Sequence, residues 1–129
     1  MKYQKIILGI LSLITFVSVL GFCITNTNSS IIGYWVSEND PKLKLVFTPD
    51  GKCMEFYDNE KQDEYTFSIS NISPQCGEEV HVDQYTSYLK LVNIVDSEDI
   101  YCYEINGITS STLSLRFLGN GGFVIYNKE

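Results

Sequence analysis

The chain predicts an all-β domain: an eight-stranded antiparallel up-and-down meander barrel, with a two-sheet β-sandwich as the alternative. Three observations carry this. After Ser30 no window sustains a helical period; short runs rich in Val, Ile, Tyr and Phe alternate apolar with polar residues instead. Turn residues punctuate those runs at near-regular spacing. Most connections are short, so consecutive strands pair antiparallel. One apolar face per strand suits both architectures. Closure removes exposed edge strands, which favours the barrel.

The first strand is read at residues 31–37, interrupted by Gly33. The second, 42–48, puts Leu43, Leu45 and Phe47 on one face. Thr48-Pro49-Asp50-Gly51 is a tight turn, because Pro presets φ and Gly accepts a positive one. Residues 52–57 form the third strand, with Met54 and Phe56 in phase, and 58–63 read as a polar loop. The fourth, 64–70, aligns Tyr65, Phe67 and Ile69. A longer loop at 71–84 carries Pro74, Cys76, Gly77 and His81. Residues 85–95 are the fifth strand, with its turn at 96–99. The sixth, 100–106, alternates Tyr101, Tyr103 and Ile105, and the seventh, 113–118, aligns Leu113, Leu115 and Phe117. Gly119-Asn120-Gly121-Gly122 is a strong hairpin signal before the last strand at 123–127.

The first 22 residues differ in kind. Met1-Lys2-Tyr3-Gln4-Lys5 is a short basic start, and 19 uncharged residues follow from Ile6 to Ile24. This reads as a secretory signal at 1–22, against the alternative of a retained anchor, since about 18 or more apolar residues can span a bilayer. Leu20-Gly21-Phe22-Cys23 resembles the lipobox of bacterial lipoproteins, with Phe22 where that motif usually has a small residue. The resemblance implies acylation of Cys23. Residues 23–30 then form a polar, uncharged tether, and 31–129 the folded domain.

Composition narrows the function. The whole chain of 129 residues carries −7, and its first 22 residues hold two lysines and no acid. The exported part is therefore more acidic than the chain. That balance excludes nucleic acid and anionic headgroups as partners, which need clustered Lys and Arg. With one Arg and one His there is little from which to build polar catalysis, and no catalytic residue, cofactor or metal site is expected. His81 and Asp83 with Glu78 and Glu79 lack the spacing of a metal site and read as a solvated acidic loop. Asp96, Glu98 and Asp99 read as turn residues. Asn28-Ser29-Ser30 and Asn71-Ile72-Ser73 match a glycosylation acceptor, which carries little meaning if the source is bacterial, as the N-terminal signal suggests.

Gly33-Tyr34-Trp35 opens the first strand of an eight-strand meander. Leu45 to Cys53 forms a hairpin around Asp50-Gly51, and Leu113-Ser114-Leu115 with Val124-Ile125-Tyr126 forms a closing one. Together these resemble the lipocalins, and in particular small lipocalin-like domains of secreted Bacteroidota lipoproteins. The resemblance covers about residues 31–129. It implies that Gly33 and Trp35 close one end of a barrel, and that an Arg packs across the Trp, for which the chain offers only Arg116. An opposite reading leaves Arg116 on the solvent face, out of phase with Leu115 and Phe117.

If Cys23 is acylated, Cys53, Cys76 and Cys102 remain, with three pairings open. Cys76–Cys102 is favoured, because Cys76 lies in a loop able to reach across and Cys102 is out of phase with inward Tyr101 and Tyr103. In the loop-entropy account such a closure stabilises by roughly 3–4 kcal/mol. Cys53 stays free, without a base that would make it a nucleophile.

Tyr65, Phe67, Leu91, Tyr101, Tyr103 and Leu115 are the candidate ligand-lining residues, since inward hydroxyls need partners or a ligand. The functional expectation is a non-enzymatic cell-envelope lipoprotein, exported to the outer membrane on its periplasmic or outer side. It would be held there by an N-terminal lipid and would bind a small hydrophobic ligand. The alternative is a filled barrel that contacts another envelope or surface protein.

Overall fold

A computed structural model describes residues 31–129. The signal peptide at 1–22, Cys23 with its acylation, and the tether at 23–30 lie outside the described residues. Eight strands close into an antiparallel barrel in chain order. They are β1 (Gly33–Ser37), β2 (Leu43–Phe47), β3 (Lys52–Tyr57), β4 (Glu60–Ser70), β5 (Ser87–Asn93), β6 (Ile100–Ile108), β7 (Thr112–Phe117) and β8 (Phe123–Lys128). β8 pairs back onto β1, with Val36 opposite Asn127, so no edge strand is left. The sandwich alternative is thereby set aside.

The meander places both ends of the described segment and the connections β2–β3, β4–β5 and β6–β7 at one end of the barrel, here the terminal end. The other four connections lie at the opposite, open end. Alternation sends one residue in two inward. Trp35, Leu45, Phe47, Cys53, Tyr65, Leu89, Leu91, Leu113, Leu115 and Tyr126 form one buried cluster, with Phe67, Ile69, Tyr103, Ile105 and Val124 packed on it. Every strand contributes, so the side chains meet across the axis. Aromatic rings pack within it: Phe47 on Phe67 at 5.2 Å edge-on between β2 and β4, and Tyr103 on its β7 partner Phe117 at 4.6 Å. An eight-stranded barrel is narrow enough to be filled in this way.

Trp35 is fully buried near the terminal end, where its indole Nε1 donates to the Ile31 carbonyl at 2.7 Å. Gly33 has φ +136°, and a Cβ there would meet the Lys128 Cε at 2.8 Å. This is the one place where the chain's entry into the barrel requires glycine. The cation over Trp35 is Lys128, with Nζ 5.0 Å from the ring centroid, and not Arg116. Arg116 sits opposite Glu104 and its guanidinium bonds that carboxylate on the outer wall. The expectation of an Arg116–Trp35 stack fails for a simple reason. Arg116 lies between inward Leu115 and Phe117, and turning it inward would slip the whole strand by one residue.

Two local differences follow from pairing. The fourth strand starts at Glu60 rather than 64, because Asp58 and Asn59 both take positive φ (52° and 66°) and make a two-residue hairpin. The polar stretch after it is held as strand by pairing with β3, with a bulge opposite Glu55 and Phe56. On β3, the apolar Met54 faces outward with Val46 and Tyr34, while Cys53 and Glu55 point inward.

Candidate functional site

Toward the open end the inward row turns polar on β3 and β4. Leu45 pairs with Glu55, and Glu55 with Asp63. This carries two carboxylates to the mouth. Asn93, 8 % exposed, closes the row from β5: its Nδ2 donates to Asp63 Oδ1 and to Asp99 Oδ2, both at 3.1 Å. The Asn93 Oδ1 accepts from the Val95 amide at 2.9 Å and the Asp96 amide at 3.4 Å. One amide side chain thus orders the 94–99 connection and joins it to β4. The Asn93 amide itself donates to the Asp99 carbonyl at 3.0 Å.

Among the described residues, no Lys, Arg or His pairs with Glu55, Asp63 or Asp99. Burial pushes the Glu55 carboxyl up from its ordinary value, and the negative charges of Asp63 and Asp99 add to the shift. Tyr65 is pushed up by burial and then by the same carboxylates. Tyr101 is pushed up first by its hydrogen bond to Asp99 and then by burial. Tyr65 and Tyr101 meet edge-on at 5.9 Å beside this cluster.

Of the ligand-lining candidates, Tyr65, Leu91 and Leu115 are buried, and Phe67 and Tyr103 pack on the same cluster. Tyr101 is 40 % exposed at the mouth. All six are inward, as their phase predicts. Cys53 is buried among them, and burial holds its thiol far above the ordinary range, so it stays protonated.

Outside the wall, residues 71–86 form a flap. Cys76 is disulfide-bonded to Cys102 on the outer face of β6, the pairing favoured from the sequence. Between flap and wall lies a cleft of about 270 Å³, bordered by Glu79, His81, Tyr88, Glu104, Arg116 and Leu118. His81 is exposed and bonds Asp83 at 3.0 Å. A shallower hollow of about 200 Å³ lies over Tyr34, Val46 and Phe56 on β1–β3. Both are on the exterior, on faces that alternation alone would assign to solvent.

Sequence reasoning missed Glu55, Asp63, Asn93 and Lys128. The signal for Glu55 was present: Cys53 and Glu55 share a phase, and Phe47 opposite Cys53 is inward. For Asn93, its place in phase with Leu89 and Leu91 marked it as an inward amide needing partners.

Compared with known proteins, the chain matches no family model, no curated protein and no solved structure. The order and closure of the strands are consistent with a lipocalin-like fold. The disulfide points to a compartment outside the cytoplasm.

Proposed function

We propose that this protein is an exported, lipid-tethered barrel that acts as a non-catalytic interaction module, presenting its outer wall to another envelope or surface protein. The observation that carries this reading is the interior. Its inward apolar side chains join in one packed cluster fed by all eight strands, and Phe47 meets Phe67 between strands that are not hydrogen-bonded neighbours, which leaves little room for a carried ligand. The mouth supports it as well: a hydrophobic ligand entering there would pass Glu55, Asp63 and Asp99, and burying those carboxylates without a cation beside them is costly. The outer wall offers apolar side chains instead, with Tyr34, Phe123 and Ile125 exposed on adjoining strands β1 and β8.

The lipid tether rests on the Cys23 lipobox and the uncharged stretch before it. The test is photo-crosslinking in the producing cell from residues introduced at Tyr34 and Ile125. Adducts to one polypeptide are expected from both positions. A protein that forms none, and instead releases a small molecule on denaturation, would return the reading to a ligand carrier. For the tether, Cys23→Ala should move the protein out of the membrane fraction; unchanged fractionation and mobility would rule the anchor out.

A further inference from the structure

The flap at residues 71–86 is organised around a small hairpin. Gln75 and Glu78 exchange two backbone hydrogen bonds of 2.9 Å, leaving Cys76 and Gly77 as the two turn residues. Both take positive φ, 48° and 79°. That conformation suits glycine at the second position, but cysteine at the first adopts it against the preference of its Cβ. Cys76 is exposed at the tip of this hairpin, and its partner Cys102 is buried at 6 % exposure on β6.

Most hydrogen bonds of the flap are its own. Gln75 Nε2 donates to the Ile72 carbonyl, Val80 N to Ser73 Oγ, and Asp83 accepts from the Tyr85 and Thr86 amides. Its side-chain links to the barrel wall are the disulfide, a bond from Gln75 Nε2 to Ser70 Oγ on β4 at 2.9 Å, and one from Tyr88 Oη to the His81 carbonyl at 2.6 Å. The disulfide is the one covalent link among them.

We propose that Cys76–Cys102 is a thiol–disulfide exchange site, reduced by a dithiol-bearing partner, and that its reduction releases the flap and opens the cleft over Glu104 and Arg116 while the barrel stays folded. The chemistry balances as an ordinary exchange. A thiolate of the dithiol attacks the Cys76 sulfur; the S–S bond breaks, and Cys102 leaves as a thiolate that takes up a proton. The second thiol of the dithiol, losing its proton, then displaces Cys76, which is protonated in turn. Two electrons pass from the dithiol to the cystine, and the dithiol ends as its own disulfide. Exposed disulfides held in an unfavoured backbone are the labile ones.

The barrel carries its own control, because Cys53 is fully buried and reacts only if the barrel opens. The experiment equilibrates the folded protein across dithiothreitol redox buffers, alkylates free thiols, maps them by mass spectrometry, and follows amide exchange on the same samples. Cys76 and Cys102 should become alkylated together while Cys53 stays protected. Amides of residues 71–86 should exchange at least tenfold faster, with those of β1–β4 unchanged. Alkylation of Cys53 in step with Cys76 would overturn the proposal, since the disulfide would then open only with the barrel. Flap amides that keep their protection after reduction would overturn it equally. The reduced wild-type protein decides the matter even if a Cys76→Ser, Cys102→Ser variant does not fold.

Discussion

Replacing Gly33 with alanine should unseat the terminal end of the barrel. The backbone there has φ +136°, where an L side chain is strained, at a cost of about 1–3 kcal/mol. The new Cβ would also fall 2.8 Å from the Lys128 Cε, well inside carbon–carbon contact, so the lysine must move. Lys128 then leaves the Trp35 ring it covers at 5.0 Å. At an exposed site that cation–π contact contributes about 0.5–1 kcal/mol. The total loss is about 1.5–4 kcal/mol, which for a domain of this size lowers Tm by at least roughly 6 °C. Trp35 is the sole tryptophan in the chain, so its fluorescence during urea unfolding reports this region directly. Lys128→Met separates the two effects, since it keeps the stem and removes the charge, and should cost only the cation–π part. The reasoning fails if Gly33→Ala lies within about 0.5 kcal/mol of wild type, or if it costs no more than Lys128→Met.

Other consequences can be checked alongside. Asn93→Ala strips Asp63 and Asp99 of their shared donor and the 94–99 connection of its acceptor; a loss of about 1–3 kcal/mol is expected, with faster amide exchange in that connection. Glu55 has its folded pKa raised above its unfolded value of about 4.5, so its charged form opposes folding. The native state binds the extra proton between those two values, and this contribution makes stability rise as pH falls from neutral toward about 4.5. Glu55→Gln should remove that slope and raise stability at pH 7, measured by urea midpoints across pH. Asp83 acts in the opposite sense. Hydrogen bonds from the Tyr85 and Thr86 amides hold its carboxyl near 2, below its ordinary 3.8, so its contribution is present above about 3.8 and lost as pH falls toward 2. Asp83→Asn should flatten the acid limb of the same curve.

The strands were legible because burial on one side of a sheet writes a period of two into the chain. Leu113 and Leu115, or Tyr101 and Tyr103, declare their face without help. The start of β4 was not legible. Glu60-Lys61-Gln62-Asp63 has no apolar alternation, and it is strand only because Asp58 and Asn59 turn the chain back onto β3. The apolar Met54 on β3 pointed the wrong way for a related reason: register is set by the hairpin that puts Phe47 opposite Cys53, and that hairpin outranks the side chains. At the terminal end the sequence showed the glycine and the tryptophan but not which cation would cover the ring. Lys128 reaches it because β8 pairs with β1, a contact that spans nearly the whole folded domain and leaves no local trace. The acid row at the mouth is of the same kind, since Glu55, Asp63, Asn93 and Asp99 converge only when four elements close around them. The disulfide was favoured among three pairings, because the phase of Cys102 turned it outward and the loop carrying Cys76 could reach it.

The central claim is that this barrel is filled by its own side chains, and xenon binding followed by NMR tests it most directly. Leu115 is buried at the centre of the interior, so Leu115→Ala should open a dry apolar cavity at a cost of about 2–5 kcal/mol. The wild-type protein should show no saturable shift of interior methyl resonances under xenon, and Leu115→Ala should show one. Saturable xenon binding inside the wild-type barrel, equal to that of Leu115→Ala, would contradict the account and restore a ligand cavity.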